Sequence, residues 1–171
     1  MVKSEDAIQI IHLLESNDIP VWLVGGWGID SLLGRQTREH KDLDILLQRD
    51  DLQKAKHLLE NVGYSLKEIW SENNPVFDFH GNQIDIAFVL HDASGREIDL
   101  HAFHLEGGQV IPDWEDSEGH QITKAQLDHL GMINGISVRC ISQQLQFLFH
   151  TGYDLPDYQI QDIRLLNEKY P

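Results

Sequence analysis

Residues 21–47, V-W-L-V-G-G-W-G-I-D-S-L-L-G-R-Q-T-R-E-H-K-D-L-D-I-L-L, restrict this chain to very few architectures. The apolar run from Val21 to Val24 stops at Gly25-Gly26, the pattern of a buried strand ending in a tight turn. Gly25, Gly26 and Gly28 carry no Cβ, so backbone there can approach a bulky anion. A short helix over about residues 27–33 is predicted next, its first N–H groups free to point at that anion. Asp42-Leu43-Asp44 then opens a second apolar run, Ile45-Leu46-Leu47. Alternate strand side chains share a face, so Asp42 and Asp44 project together while Leu43 and Ile45 enter the core. Paired carboxylates repel unless a cation lies between them. Mg²⁺ suits them, since it takes hard oxygen ligands and completes its shell with water and phosphate.

The flanking sequence reads as helices and strands. Ser4 is expected to cap a helix reaching about residue 16, with Ala7, Ile8, Ile11, Leu13 and Leu14 as its apolar stripe. A second helix is predicted over 50–62, capped by Asp50, stopped by Gly63 and burying Leu52, Ala55, Leu58, Leu59 and Val62. Strands are predicted over 65–69, 76–80, 83–89 and 96–103, with turns at Gly81-Asn82 and at residues 92–95. A last strand over 136–141 leads to a helix capped by Ser142 and running to about 150. A closing helix over 158–170 turns Ile160, Ile163 and Leu166 inward. Trp70 and Phe77 read as core or rim aromatics, and Cys140 as a buried structural thiol. Residues 106–135 carry the least pattern. Within them Asp113, Trp114, Glu115 and Asp116 form an acidic, aromatic cluster suited to an ammonium group, with an acidic surface loop as the simpler reading. No linker or repeat divides the chain, so one domain over 1–171 is expected, about 142–171 being a helical extension.

Residues 34–41 are polar and carry Arg35, Arg38 and Lys41. A triphosphate beside metal ions still presents negative oxygens, and a guanidinium forks well onto them. A solvated loop is the alternative for each cation taken singly. His40 reads either as a partner of a carboxylate or phosphate, or as an ordinary exposed histidine. Two residues qualify as a third carboxylate, Asp85 in Q-I-D-I-A-F and Asp99 in E-I-D-L-H-A-F. Both sit among apolar neighbours, and local pattern does not separate them. His101 shares a strand face with Asp99. The ten histidines include no H-x₃-H or HExxH pattern, which argues against a His-bound transition metal.

Charge narrows the partners. Twenty-eight acidic residues against 13 basic ones give a formal net charge of −15, which disfavours nucleic acid, whose phosphates are held by Lys and Arg. The same field would attract a cationic small molecule, or serve only solubility. No run approaches a membrane span, no secretory leader is legible, and a lone cysteine fits a reducing compartment; the cytoplasm is expected.

A Gly-Gly turn, a short helix and Asp-x-Asp resemble the nucleotidyltransferase superfamily signature. The fuller wording G-G-W-G-I-D-S-L-L-G-R-Q-T-R-E-H-K-D-L-D-I is similar to the small lincosamide nucleotidyltransferases and the aminoglycoside 2''-nucleotidyltransferases. R-C-I-S-Q-Q-L-Q-F-L-F-H-T-G-Y-D-L continues the likeness, which spans roughly residues 21–155 with gaps. Gly26 departs from the pattern, since many superfamily members have Ser there. The resemblance implies an α/β (α+β) nucleotidyltransferase fold, a small mixed sheet flanked by helices with a short C-terminal helical part. It selects Asp99, in apolar-Asp-x-His, over Asp85, and Arg38, two places before His40, as the first phosphate ligand; Lys41 and Arg35 come next. It implies catalytic and metal-binding roles for Asp42, Asp44 and Asp99, and a nucleotide cradle of Gly25, Gly26, Arg38 and Lys41. The expected reaction is transfer of a nucleoside monophosphate, AMP from ATP, to a hydroxyl of a lincosamide or aminoglycoside, with two Mg²⁺ ions and release of pyrophosphate. The rivals are a non-catalytic NTP-binding module, which has no need of three carboxylates, and a nucleotidyltransferase acting on a protein.

Overall fold

The computed structural model describes residues 1–69, 76–77, 80–113 and 122–171. In chain order its elements are α1 (Ser4–Glu15), β1 (Val21–Leu23), α2 (Gly25–Leu33), β2 (Asp42–Gln48), a 3₁₀ turn (Arg49–Asp51), α3 (Leu52–Asn61), β3 (Ser65–Ile69), β4 (Val76–Phe77), β5 (Gln83–Ile84) and β6 (Ala87–His91). They continue with β7 (Glu97–Glu106), β8 (Gln109–Pro112), α4 (Lys124–Leu127), β9 (His129–Ile133), β10 (Ile136–Cys140), α5 (Gln143–Phe149) and α6 (Asp157–Lys169). The main sheet runs β3-β6-β7-β2-β1-β10-β9, with β8 paired to β7 and β4-β5 a separate ribbon. Pairing is parallel for β2 with β7 and β1 with β10, and antiparallel elsewhere. This is the mixed sheet flanked by helices that the sequence predicts.

The period-2 alternation of the central strands divides the interior. Val21, Leu23, Leu43, Ile45, Leu47, Ile98, Leu100 and Ala102 join α1, α2 and α3 in the larger core. Trp22, Val24, Leu46 and Phe103 face the other way, onto Leu127 of α4 and Leu145 of α5. Asp42, Asp44, Asp99 and His101 alternate with the first set, so they stand on the second face, beyond its apolar cluster.

Several sequence expectations move. Asp6, not Ser4, closes the start of α1, accepting from the Lys3 N–H at 2.9 Å; Ser4 is the first helical residue and its hydroxyl accepts from Asn134. Helix α2 begins two residues early, at Gly25. Asp50 lies in the 3₁₀ turn, which makes Asp51 the residue before α3, and Val62 is exposed beyond its end. The predicted strand 83–89 is broken around Asp85, which accepts from Gln53 on α3 at 3.1 Å. On α6, Ile160 is exposed while Asp162 and Leu166 are buried. Phe77 is exposed, Trp70 lies outside the described residues, and β8, α4 and β9 occupy the stretch without clear pattern.

Candidate active site

The parallel register of β2 and β7 sets Asp42 beside Glu97 and Asp44 beside Asp99. Two strands distant in sequence thereby bring their acids to one face. One ligand atom each from Asp44, Asp99 and His101 lies within 4.8 Å of the others. Asp42 is outside that trio but lines the same cavity as Asp44 and His101, a space of about 780 Å³. Burial, then the charges of Asp42 and Asp99, raise the Asp44 carboxyl well above the ordinary range. Burial, then Asp42 and Glu97, push Asp99 up to about 7 against the opposing pull of Lys41 and Lys67. Burial alone lowers His101 to about 4, which leaves a neutral imidazole at physiological pH. Among the described residues Asp99 Oδ1 is buried with no hydrogen-bond partner. Crowded, repelling carboxylates with an unsatisfied buried oxygen fit a bound divalent cation, which would neutralise the repulsion.

The turn after β1 completes the wall. Gly25 adopts φ +58°, a left-handed conformation, and a Cβ there would overlap the Asp44 carboxylate. Gly26 faces the His40 ring and the Arg38 guanidinium, so a side chain at this position has no room. That explains glycine where relatives of the signature carry Ser. Gly28 does not line the cavity; it lets α2 pack against the Leu23 carbonyl and Gln146.

Residues 34–41 are pinned from several sides. Asp30 Oδ2 accepts from the Thr37 N–H at 3.1 Å and meets His40 Nε2 at 2.5 Å, while Oδ1 accepts from the Thr37 hydroxyl at 2.6 Å. His40 is buried against Trp27, ring centroids 4.8 Å apart, so the exposed-histidine reading is replaced by a buried partner of a carboxylate. Val2 donates to the His40 carbonyl at 2.8 Å. Arg38 borders the cavity, paired with the buried Asp162 at 2.7 Å and stacked on Tyr158 at 4.7 Å. Lys41 borders it too and pairs with Glu97 at 2.8 Å. Arg35 is not among the lining residues.

Asp85 faces α3, whereas Asp99 stands with Asp44 and His101, both of which line the cavity. Asp113 is buried and engaged by Arg49 and His104, so it is no surface anion; Trp114, Glu115 and Asp116 lie outside the described residues. Sequence reasoning missed Asp30, Asp162 and the aromatic rim of Phe149, Tyr153 and Tyr158. The signals were faint: one acid inside the apolar run G-I-D-S-L-L, and an acid four residues before Leu166, on the buried side of α6.

Among the described residues no helix is long and apolar enough to cross a membrane. The profile of the aminoglycoside-2''-adenylyltransferase family matches residues 6–166. A lincosamide resistance protein of Staphylococcus haemolyticus is 29% identical over 165 residues, 96% of this chain and 94% of that one. A 2''-aminoglycoside nucleotidyltransferase of Klebsiella pneumoniae is 33% identical over 139 residues, 78% of this chain but 64% of that enzyme. The crystal structure of the lincosamide antibiotic adenylyltransferase LnuA, lincomycin-bound, superposes with a TM-score of 0.78 at 28% identity, covering 97% of each chain. ANT(2'')-Ia in complex with adenylyl-2''-tobramycin shares the fold, with a TM-score of 0.67 at 21% identity over 100% of this chain and 91% of that one. With the profile spanning nearly the whole chain and the acids gathered on one sheet face, the protein belongs to the aminoglycoside-2''-adenylyltransferase family of antibiotic nucleotidyltransferases.

Proposed function

We propose that the chain transfers AMP from ATP to a hydroxyl of a lincosamide-type antibiotic, releasing pyrophosphate in the cytoplasm. The observation that carries this reading is the pairing of Asp44 with Asp99 across β2 and β7, with Asp44 at the wall of the cavity and against the Gly25 turn. Asp42, Asp44 and Asp99 would hold two Mg²⁺ ions. When bound, they supply charge neutralisation at the triphosphate and acidify the acceptor hydroxyl.

The chain's own groups divide the remaining work. The first N–H groups of α2, opening at the cavity-lining Gly25 and Gly26, would be offered to a phosphate. Arg38 and Lys41 flank that position and stabilise its negative charge. Asp99, whose carboxyl burial raises to about 7 in the metal-free site, either completes the second metal position or takes the acceptor hydroxyl proton directly. The apolar rim of Leu46, Ile86, Phe149 and Tyr153 suits the hydrophobic body of an acceptor and excludes water.

A lincosamide is favoured because the chain matches the lincosamide resistance protein over nearly the full length of both. An aminoglycoside is the second acceptor class, favoured by the net charge of −15, which attracts polycations. The test is incubation with ATP, Mg²⁺ and lincomycin, or tobramycin in parallel, with pyrophosphate release and the acceptor's mass as readouts. Gain of one adenylyl group on lincomycin is expected. Pyrophosphate release with neither acceptor modified would refute the acceptor assignment.

A further inference from the structure

His101 has no place in the carboxylate chemistry just described, yet it stands in the midst of it. Its ring nitrogen belongs to the trio whose ligand atoms lie within 4.8 Å of one another, with Asp44 from the neighbouring strand and Asp99 two residues before it. The same ring borders the cavity. The i, i+2 spacing on β7 and the register with β2 hold all three donors on rigid strands, not on loops. Asp99 Oδ1, buried without a partner, supplies an unsatisfied acceptor in the same group.

We infer that His101 is a metal ligand, and that the position it forms with Asp44 and Asp99 selects Mn²⁺ over Mg²⁺. The inference rests on the metal-dependent reading of the site and deepens it. Two carboxylate oxygens and one imidazole nitrogen make a mixed donor set. Mg²⁺ prefers oxygen throughout, whereas Mn²⁺ accepts oxygen and stands above Mg²⁺ in its acceptance of nitrogen. A strand places the donors two residues apart, which is why helical patterns such as HExxH do not reveal them. Asp42, outside the trio, leaves an all-oxygen flank to the cavity for a cation bound with triphosphate.

The test uses the full chain without nucleotide. Mn²⁺ binding is followed by electron paramagnetic resonance, and spin-echo modulation reports whether an imidazole nitrogen is coordinated. Wild-type protein should show ¹⁴N modulation that changes to the ¹⁵N pattern on selective histidine labelling, and should bind Mn²⁺ on the order of tenfold tighter than Mg²⁺. His101→Gln, which retains a polar side chain of similar reach, should lose the modulation and the preference while keeping its thermal transition. Should that variant fail to fold, the wild-type spectrum alone decides. Bound Mn²⁺ without nitrogen modulation, equal affinity for the two ions, or no Mn²⁺ binding in the absence of nucleotide each overturns the inference. Antibiotic adenylylation with Mg²⁺ is scored separately, so failure of the transferase reading and failure of the His101 assignment are distinguishable.

Discussion

Asp99→Asn should make the metal-free protein more stable at pH 8 while removing its turnover. Asp99 titrates at about 7 in the folded chain, against about 3.9 for an unfolded aspartate. Between those values the native chain keeps a proton that the unfolded chain has released. Stability therefore falls as pH rises from about 4 to about 7. About three pKa units at ~1.4 kcal/mol each give an upper limit of ~4 kcal/mol for ionising Asp99 in the fold. Asparagine escapes that cost but leaves its amide unpaired where Oδ1 now has no partner, a penalty of about 1–3 kcal/mol. The net gain is about 2 kcal/mol, or roughly 4–8 °C in Tm for a chain of this size. At pH 5 the wild-type carboxyl is already protonated, and the gain disappears. The assay is thermal unfolding with chelator at pH 5 and pH 8, beside kcat with lincomycin. Turnover should drop at least ~10²-fold through loss of a metal ligand or of the base. An Asn variant no more stabilised at pH 8 than at pH 5 would refute the electrostatic account, whatever its activity.

Mg²⁺ should raise the wild-type Tm, and Asp42→Asn and Asp44→Asn should each abolish both that rise and transfer; near-normal turnover in either removes the metal assignment. Asp85→Asn, against α3, should stay within a few-fold of wild-type kcat, and a severe loss would exchange its role with that of Asp99. Gly25→Ala forces a Cβ onto the Asp44 carboxylate at a positive φ, so stability should fall by about 1–2 kcal/mol and turnover by ~10²-fold; an unchanged kcat would show that Asp44 has freedom to move. Arg38→Ala should weaken NTP affinity in calorimetric titration and also lower Tm, because Asp162 is left buried without its partner, whereas Arg38→Ala with Asp162→Asn should recover Tm but not affinity. Cys140, whose thiol burial pushes up to about 11, should be silent to a thiol reagent at pH 8 until the chain is unfolded.

What could be read in advance was whatever local chemistry dictates. Val21–Leu47 announced a strand, a glycine turn, a helix and a second strand because apolar period and glycine position leave few alternatives. The facing of Asp42 and Asp44 followed from the pleat alone. What lies between distant segments was not legible. Asp44 meets Asp99 only through the register of a parallel pair, and Q-I-D-I resembles E-I-D-L until that register is known. Asp162 and Asp30 are buried acids made tolerable by Arg38 and His40, and nothing in their own neighbourhoods predicts those partners. Among the described residues of 106–135, β8 and β9 are short strands that owe their conformation to the sheet they join.

The parallel joining of β2 to β7 also bears on how the chain reaches its native state. Asp42 and Glu97 are partners across a loop of more than fifty residues, and such closures are slow, since chain entropy is lost before the pairing is gained. Acids that repel one another, Asp42, Asp44 and Asp99, sit on these same two strands. Carboxylate repulsion therefore opposes the long-range step that assembles the sheet, most strongly where the acids are ionised. A divalent cation can bridge Asp44 and Asp99 only after that step, so it should slow unfolding much more than it speeds folding.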